Sequence, residues 1–177
     1  VGYSNQLSMA INKVDKIYRK NIIGFMDTNS NIGSYSEEWK EVRGQYVDEN
    51  KNMNDSGLIL LEFCVAHDMV LGNTFHKNKR YTTWSNPSRS RDPTNDMYYN
   101  TLDYVLVSKS LQENLVSCGV DLEFDPDISD HVPVVAVLKL YSNQEEGKVN
   151  KKKQMDRKAK PTRPPKVSLL LTNPEVY

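Results

Sequence analysis

The chain has 177 residues and lacks any apolar run long enough to cross a membrane. It is poor in cysteine, with only Cys64 and Cys118, each inside an apolar stretch. A disulfide framework is therefore not expected; two buried free thiols and a reducing nuclear or cytoplasmic setting are. The start, Val1-Gly2-Tyr3, carries neither an initiator methionine nor a signal peptide, and reads as cut. Net charge is also missing, but the balance is uneven. Residues 148–166 hold nine Lys or Arg and one acid, whereas residues 1–147 hold 14 basic and 21 acidic residues. That split reads as an acidic folded body with a basic tail. Residues 144–165 are poor in large apolar side chains and end in Pro161, Pro164 and Pro165. They read as disordered. The tail suits a solvated linker or a nucleic-acid contact. Val167-Ser168-Leu169-Leu170-Leu171 turns apolar again, as if leading to another folded region.

Periodicity supplies the elements. Residues 5–18 put Leu7, Ala10, Ile11, Val14, Ile17 and Tyr18 on one helical face. Residues 21–26 read as a short strand, 27–33 as a loop and 34–54 as a polar stretch with one helical turn. Asp55-Ser56 reads as an N-cap for a helix to about His67, with Leu58, Leu61, Phe63, Cys64 and Val65 inward. Strands are expected at 69–73, 81–85, 102–107, 115–123 and 132–141, with a polar loop at 86–100. The last strand is apolar on both faces and should lie buried between layers. Alternating helices and strands predict a sheet covered by helices on one side. No second set of strands to cover the other side is apparent.

Three polar groups interrupt this apolar frame at strand ends. Met26-Asp27-Thr28-Asn29 follows the first strand, Leu102-Asp103-Tyr104 opens a strong strand, and Ser129-Asp130-His131 precedes the last one. Carboxylates, a carboxamide and an imidazole at strand ends can converge on one metal and one phosphate, the equipment of metal-assisted phosphodiester hydrolysis. Each residue also has a structural use. Asp27 and Asn29 suit a turn, and Ser129-Asp130 suits a loop. Asp103 is harder to explain that way, because a carboxylate within an apolar strand is costly without a partner. His67 and His76 lack the spaced partners of a zinc site. Trp84 reads as core.

Asp27-Thr28-Asn29-Ser30-Asn31-Ile32-Gly33 resembles the Gly-Asp-Phe-Asn-Ala loop of the endonuclease/exonuclease/phosphatase superfamily. Tyr81-Thr82-Thr83-Trp84, Leu102-Asp103-Tyr104 and Ser129-Asp130-His131 follow in that family's order. Residues 57–64, Asn73-Thr74-Phe75 and Thr83-Trp84 look like its non-LTR retrotransposon endonuclease branch, including the craniofacial development protein 2-like proteins. The resemblance covers about residues 5–141. Met26 stands where the family has Gly, and Thr28 where it has Phe. The family's first half, with its metal-binding Glu, has no counterpart.

The resemblance implies an α+β fold: the C-terminal half of a four-layer α/β/β/α sandwich of DNase I type over residues 1–141. Residues 142–177 would then form a basic linker toward a downstream region. It implies that Asp27 activates water and Asn29 contacts phosphate or that water. His131 would act at the scissile phosphate, Asp103 would hold its imidazole, and Asp130 would face the metal. Asn73, Arg89 and Arg91 are possible DNA contacts. Mg²⁺, or Mn²⁺, is the implied ion, bound poorly without the missing Glu. DNA is the implied partner, with the absent N-terminal half or a reverse transcriptase region as others. Three functions compete: a DNA endonuclease or its inactive remnant, a non-catalytic nucleic-acid-binding or interaction protein, and a phosphatase for small or lipid phosphoesters.

Overall fold

The computed structural model describes residues 2–48, 51–86, 99–125 and 128–140. In chain order the elements are α1 (Gly2–Lys13), β1 (Ile23–Asp27), α2 (Asp55–Ala66), β2 (Met69–Leu71), β3 (Trp84–Ser85), β4 (Tyr99–Asn100), β5 (Asp103–Ser108), β6 (Leu115–Val120) and β7 (Val134–Leu138). Short 3-10 turns lie at Arg19–Asn21, Glu37–Trp39, Gly72–Thr74 and Lys109–Asn114.

β5 is the centre of a three-stranded antiparallel sheet, with β1 on one side and β2 on the other. Its side chains alternate between two cores, as a pleated strand requires. Tyr104 and Leu106 join Met26, Met69 and Leu71 against Ile11 of α1 and Leu60, Leu61, Phe63 and Cys64 of α2. Val105 and Val107 point the other way, with Val70, and meet Leu115 and Cys118 of β6 and Val134, Ala136 and Leu138 of β7. The described residues thus form a helix layer, a three-stranded sheet and the two-stranded β6–β7 sheet, with a separate short pair of β3 and β4.

The second sheet corrects the sequence reading. β6 and β7 do not extend the first sheet; they pair with each other and cover its back. β7 is consequently not buried on both sides. Its residues alternate, with Val134, Ala136 and Leu138 turned inward while Val135 and Val137 stay 49% and 48% exposed. A two-stranded ribbon has one supporting neighbour, so only one face is dry. Cys64 and Cys118 are free, buried and on opposite sides of the first sheet. Burial pushes both thiols up to about 12, far from the reactive range.

Helix α1 stops at Lys13, so Ile17 and Tyr18 fall outside its stripe and are exposed. The N-cap of α2 is Asn54, not Asp55: its side chain accepts the Gly57 amide at 2.8 Å. The same oxygen accepts the Asn31 amide at 3.1 Å, and the Asn54 amide donates to the Asn31 carbonyl at 3.0 Å. The buried stripe of α2 is Gly57, Leu60, Leu61 and Cys64, the i, i+3, i+4, i+7 spacing, with Phe63 beside it. Leu58 and Val65, expected inside, face outward. Glycine at 57 is required by a close approach, because any Cβ there would collide with the Asn31 carbonyl.

Candidate active site

In the antiparallel register of β1 and β5, Asp27 lies directly opposite Asp103. Opposed residues share a face, so two carboxylates meet on the side of the sheet that carries Val105 and Val107. Like charges placed this way repel. A cation or imidazole between them offsets the repulsion, and His131 occupies that place. Its Nδ1 is 2.9 Å from Asp103 Oδ2, and its Nε2 is 4.0 Å from Asp27 Oδ2. Residues far apart in the chain thus converge at one strand end.

Each member is held by its local backbone. Asp27 closes β1, and its Oδ1 accepts the Asn29 amide at 3.0 Å, a short turn of the kind aspartate favours. That turn sets Asn29 in the left-handed region, φ 48°, which asparagine tolerates better than most residues. The Thr28 amide and hydroxyl both donate to the Leu102 carbonyl, at 2.9 and 3.0 Å, tying this loop to the residue before Asp103. Farther along, the buried Arg43 guanidinium donates to the Ile32 carbonyl. His131 pairs with Trp84 as an antiparallel bridge, and its amide donates to Ser129 Oγ at 3.0 Å.

The electrostatics follow from burial and neighbours. Desolvation pulls the His131 pKa down, but the Asp103 hydrogen bond and the charges of Asp103, Asp27 and Asp130 outweigh it and hold it above its ordinary value. Burial pushes the Asp103 carboxyl up, against the hydrogen bonds from Thr83 and His131. With Nδ1 committed to Asp103, Nε2 is the nitrogen open to a substrate. A cleft of about 380 Å³ opens beside it, walled by Phe25, Val105, Phe124 and Val134, with Asp27, Asp103 and His131 among its polar lining.

The other expected site residues are placed differently. Asp130 Oδ2 accepts from the Trp84 indole N–H at 3.0 Å, and Asp130 is not in the cluster of possible ligands formed by Asp27, Asp103 and His131, whose ligand atoms lie within 4.8 Å of one another. Asn73 is buried: its amide donates to the Asp103 carbonyl at 3.2 Å and accepts from the Val105 amide at 3.3 Å. The structure uses it to hold β5. Asn29 is exposed at the loop tip. Arg89 and Arg91 lie outside the described residues. Trp84, read as core from sequence, is only half-buried and serves as Asp130's partner.

The fit to a metal depends on which donors are free. Asp103 Oδ2 is taken by the imidazole and Asp27 Oδ1 by the Asn29 amide. Mg²⁺ prefers oxygen ligands and keeps several waters. The set therefore suits a hydrated divalent ion held mainly through Asp27, not an all-protein cage.

No protein-family model matches this chain, and no curated protein matches it. Among solved structures, it is similar to an AP endonuclease from Archaeoglobus fulgidus, with a TM-score of 0.51 and 16% sequence identity. The match covers 78% of this chain and 53% of that one, so the chain spans about half the length of that enzyme. At this identity the likeness is one of fold, and it puts the mixed helix-and-sheet architecture described here with the DNase I-like folds.

Proposed function

We propose that this chain carries the C-terminal half of a DNA endonuclease of the endonuclease/exonuclease/phosphatase superfamily, in its retrotransposon branch. The observation that carries the reading is the convergence of His131 on two cross-strand carboxylates at the mouth of a cleft. The half-domain reading, with residues 1–141 as the partial domain of a four-layer sandwich and 142–177 as a basic linker, draws support from the 53% coverage of the solved neighbour. The bare outer face of the β6–β7 ribbon, where a fourth layer would rest, points the same way. Residues 57–64 and Thr83-Trp84 favour the retrotransposon branch over a small-ester phosphatase.

In this reading the DNA phosphate sits in the cleft with an oxygen toward His131 Nε2. Below its raised pKa the imidazole is doubly protonated and can donate to the phosphate or the leaving oxygen. Asp103 fixes the tautomer and stabilises the positive charge. Asp27 orients the attacking water, with Asn29 beside it at the loop tip. A divalent ion held through Asp27 would neutralise charge on the phosphate. With few carboxylates free, that ion binds weakly.

Plasmid nicking across a titration of Mg²⁺ or Mn²⁺, against a His131→Ala control, tests the proposal. Weak nicking that needs high metal and vanishes in the control is expected. A folded sample that never nicks but binds DNA in a salt-sensitive manner would replace it with the second reading, a non-catalytic nucleic-acid-binding protein.

A further inference from the structure

The charges of the folded body are not evenly mixed. Between Asp68 and Asp92 the chain holds five cations and no acid, although residues 1–147 carry 21 acids against 14 bases. Arg89 and Arg91 lie outside the described residues. The other three, Lys77, Lys79 and Arg80, fall within four positions, in the loop between the Gly72–Thr74 turn and β3. Like charges so close repel one another. None of the three forms an ion pair with a described residue; Arg80 donates only its Nε, to Thr82 Oγ1 at 2.7 Å. The loop is nevertheless anchored. Asn78 is half-buried between the two exposed lysines. Its side-chain amide donates to the His76 carbonyl at 3.0 Å and to the Cys118 carbonyl of β6 at 3.1 Å. Gly119 makes the space, because any Cβ there would collide with the Asn78 side chain. A loop of lysines that only met solvent would need no such anchor.

We propose that this loop, pinned to β6 through Asn78, is a surface for the phosphate backbone of DNA, with Lys77, Lys79 and Arg80 as its contacts. Unpaired cations on an anchored base, in a body with an excess of acid, suit a polyanion that neutralises several of them at once. The acids elsewhere on the body repel the same polyanion and confine it to this stretch. The loop also borders the site. Arg80 lines one recess with Asn31 and Gly33 of the loop that begins at Asp27. Four residues on, Trp84 bridges to His131. That stretch of chain spans no more than about 14 Å, on the order of four phosphates of one DNA strand. A single duplex can therefore meet the loop and the cleft together. Lysines and an arginine on phosphates position the duplex without reading its sequence. The inference rests on the nuclease reading only in taking DNA as the polyanion.

The test is binding of a mixed-sequence DNA duplex to the full chain in EDTA, followed as a function of salt. Two triple variants that remove the same charge are compared. One is Lys77→Gln, Lys79→Gln, Arg80→Gln; the other is Lys13→Gln, Lys16→Gln, Lys20→Gln, exposed on the helix side. The nine cations of residues 148–166 are common to all chains, so their share of the salt slope cancels. The loop variant should flatten the slope of log affinity against log salt by about 2–3, near one for each lost phosphate contact, and the control by less than about one. Equal flattening in both, or none in the loop variant, overturns the proposal. Should the triple loop variant fail to fold, the unsubstituted chain decides: bound duplex should shield Lys77 and Lys79 from acetylation, and unshielded lysines overturn the proposal. Tighter, loop-dependent binding to vesicles of phosphatidylcholine and phosphatidylserine in equal parts than to DNA overturns it as well. Plasmid nicking with metal, run separately, keeps the two ideas apart. A slope that follows the loop in a chain that cuts no DNA keeps this inference and removes the nuclease reading; cutting with a slope indifferent to the loop does the reverse.

Discussion

The two faces of the three-stranded sheet are covered very differently. On one, Tyr104, Leu106, Leu71 and Met69 lie under two helices and are almost completely buried. On the other, Val105, Val107 and Val70 are just as dry, but their cover is a ribbon of two strands with apolar residues on its own back. The helix-backed side is finished and the ribbon-backed side is not. The paired acids and His131 lie on the second side, where the ribbon parts from the sheet and leaves the cleft. A thick cover supplies rigidity, and a thin one leaves room for access.

The largest effect should come from puncturing the finished side. Leu61 has no exposed surface, and Leu61→Ala should cost about 2–5 kcal/mol in a denaturant titration. An equal loss from Val137→Ala on the ribbon's back would erase the contrast. Next in size is Gly57→Ala, which forces helix and site loop apart at the Asn31 carbonyl. A cost of about 1–3 kcal/mol is expected, with amide shifts spreading from Asn31 toward Asn29.

A third comparison sets one histidine of each side against the other by pH. His131, on the open side, has a raised folded pKa. It stabilises fully below the unfolded value near 6.5, and that contribution is lost as pH rises through the folded pKa. His67, on the helix side, accepts or donates to Ser8 at 2.8 Å and has its pKa lowered by burial and then by Arg19. Its contribution has the opposite sign, being present above the unfolded value and lost as pH falls toward the folded one. Stability measured between pH 5 and 8 should therefore tilt in opposite directions in His131→Gln and His67→Gln. The same tilt in both would show that neither neighbourhood controls its imidazole. The smallest effect is expected from Val137→Ser, within about 0.5 kcal/mol in stability. Sedimentation should nonetheless show less self-association, since bare apolar patches promote it.

How much of this was legible in the sequence depends on range. β5 announced itself because a run of Tyr, Val and Leu after an aspartate suits only a buried strand. Asp103 was legible because a carboxylate within an apolar strand is out of place without a partner, whereas its pairing with His131 followed from the family resemblance. The face of α2 was misread because the helix is apolar nearly all round, so periodicity could not choose between Leu58 and Leu60. The choice is made by Gly57, whose lack of a side chain matters only once the Asn31 carbonyl lies against it. The strands β6 and β7 were legible, but which sheet they joined was not, because strand composition does not specify a partner. The bonds from the Trp84 indole to Asp130 and from the Asp103 amide to the Thr83 hydroxyl oxygen were invisible for the same reason. They join residues 46 and 20 positions apart, and neither has a local pattern. The left-handed turn at Asn29 was suggested only by residue type.

The single oxygen of Asn54 that accepts from both Gly57 and Asn31 has a consequence for motion. Helix ends fray far more often than whole domains unfold. Here the first turn of α2 cannot open without loosening its grip on the loop that follows Asp27. Hydrogen exchange at the Gly57 and Asn31 amides should therefore share one opening rate, and the helix end would act as a clock for rearrangement of the site loop.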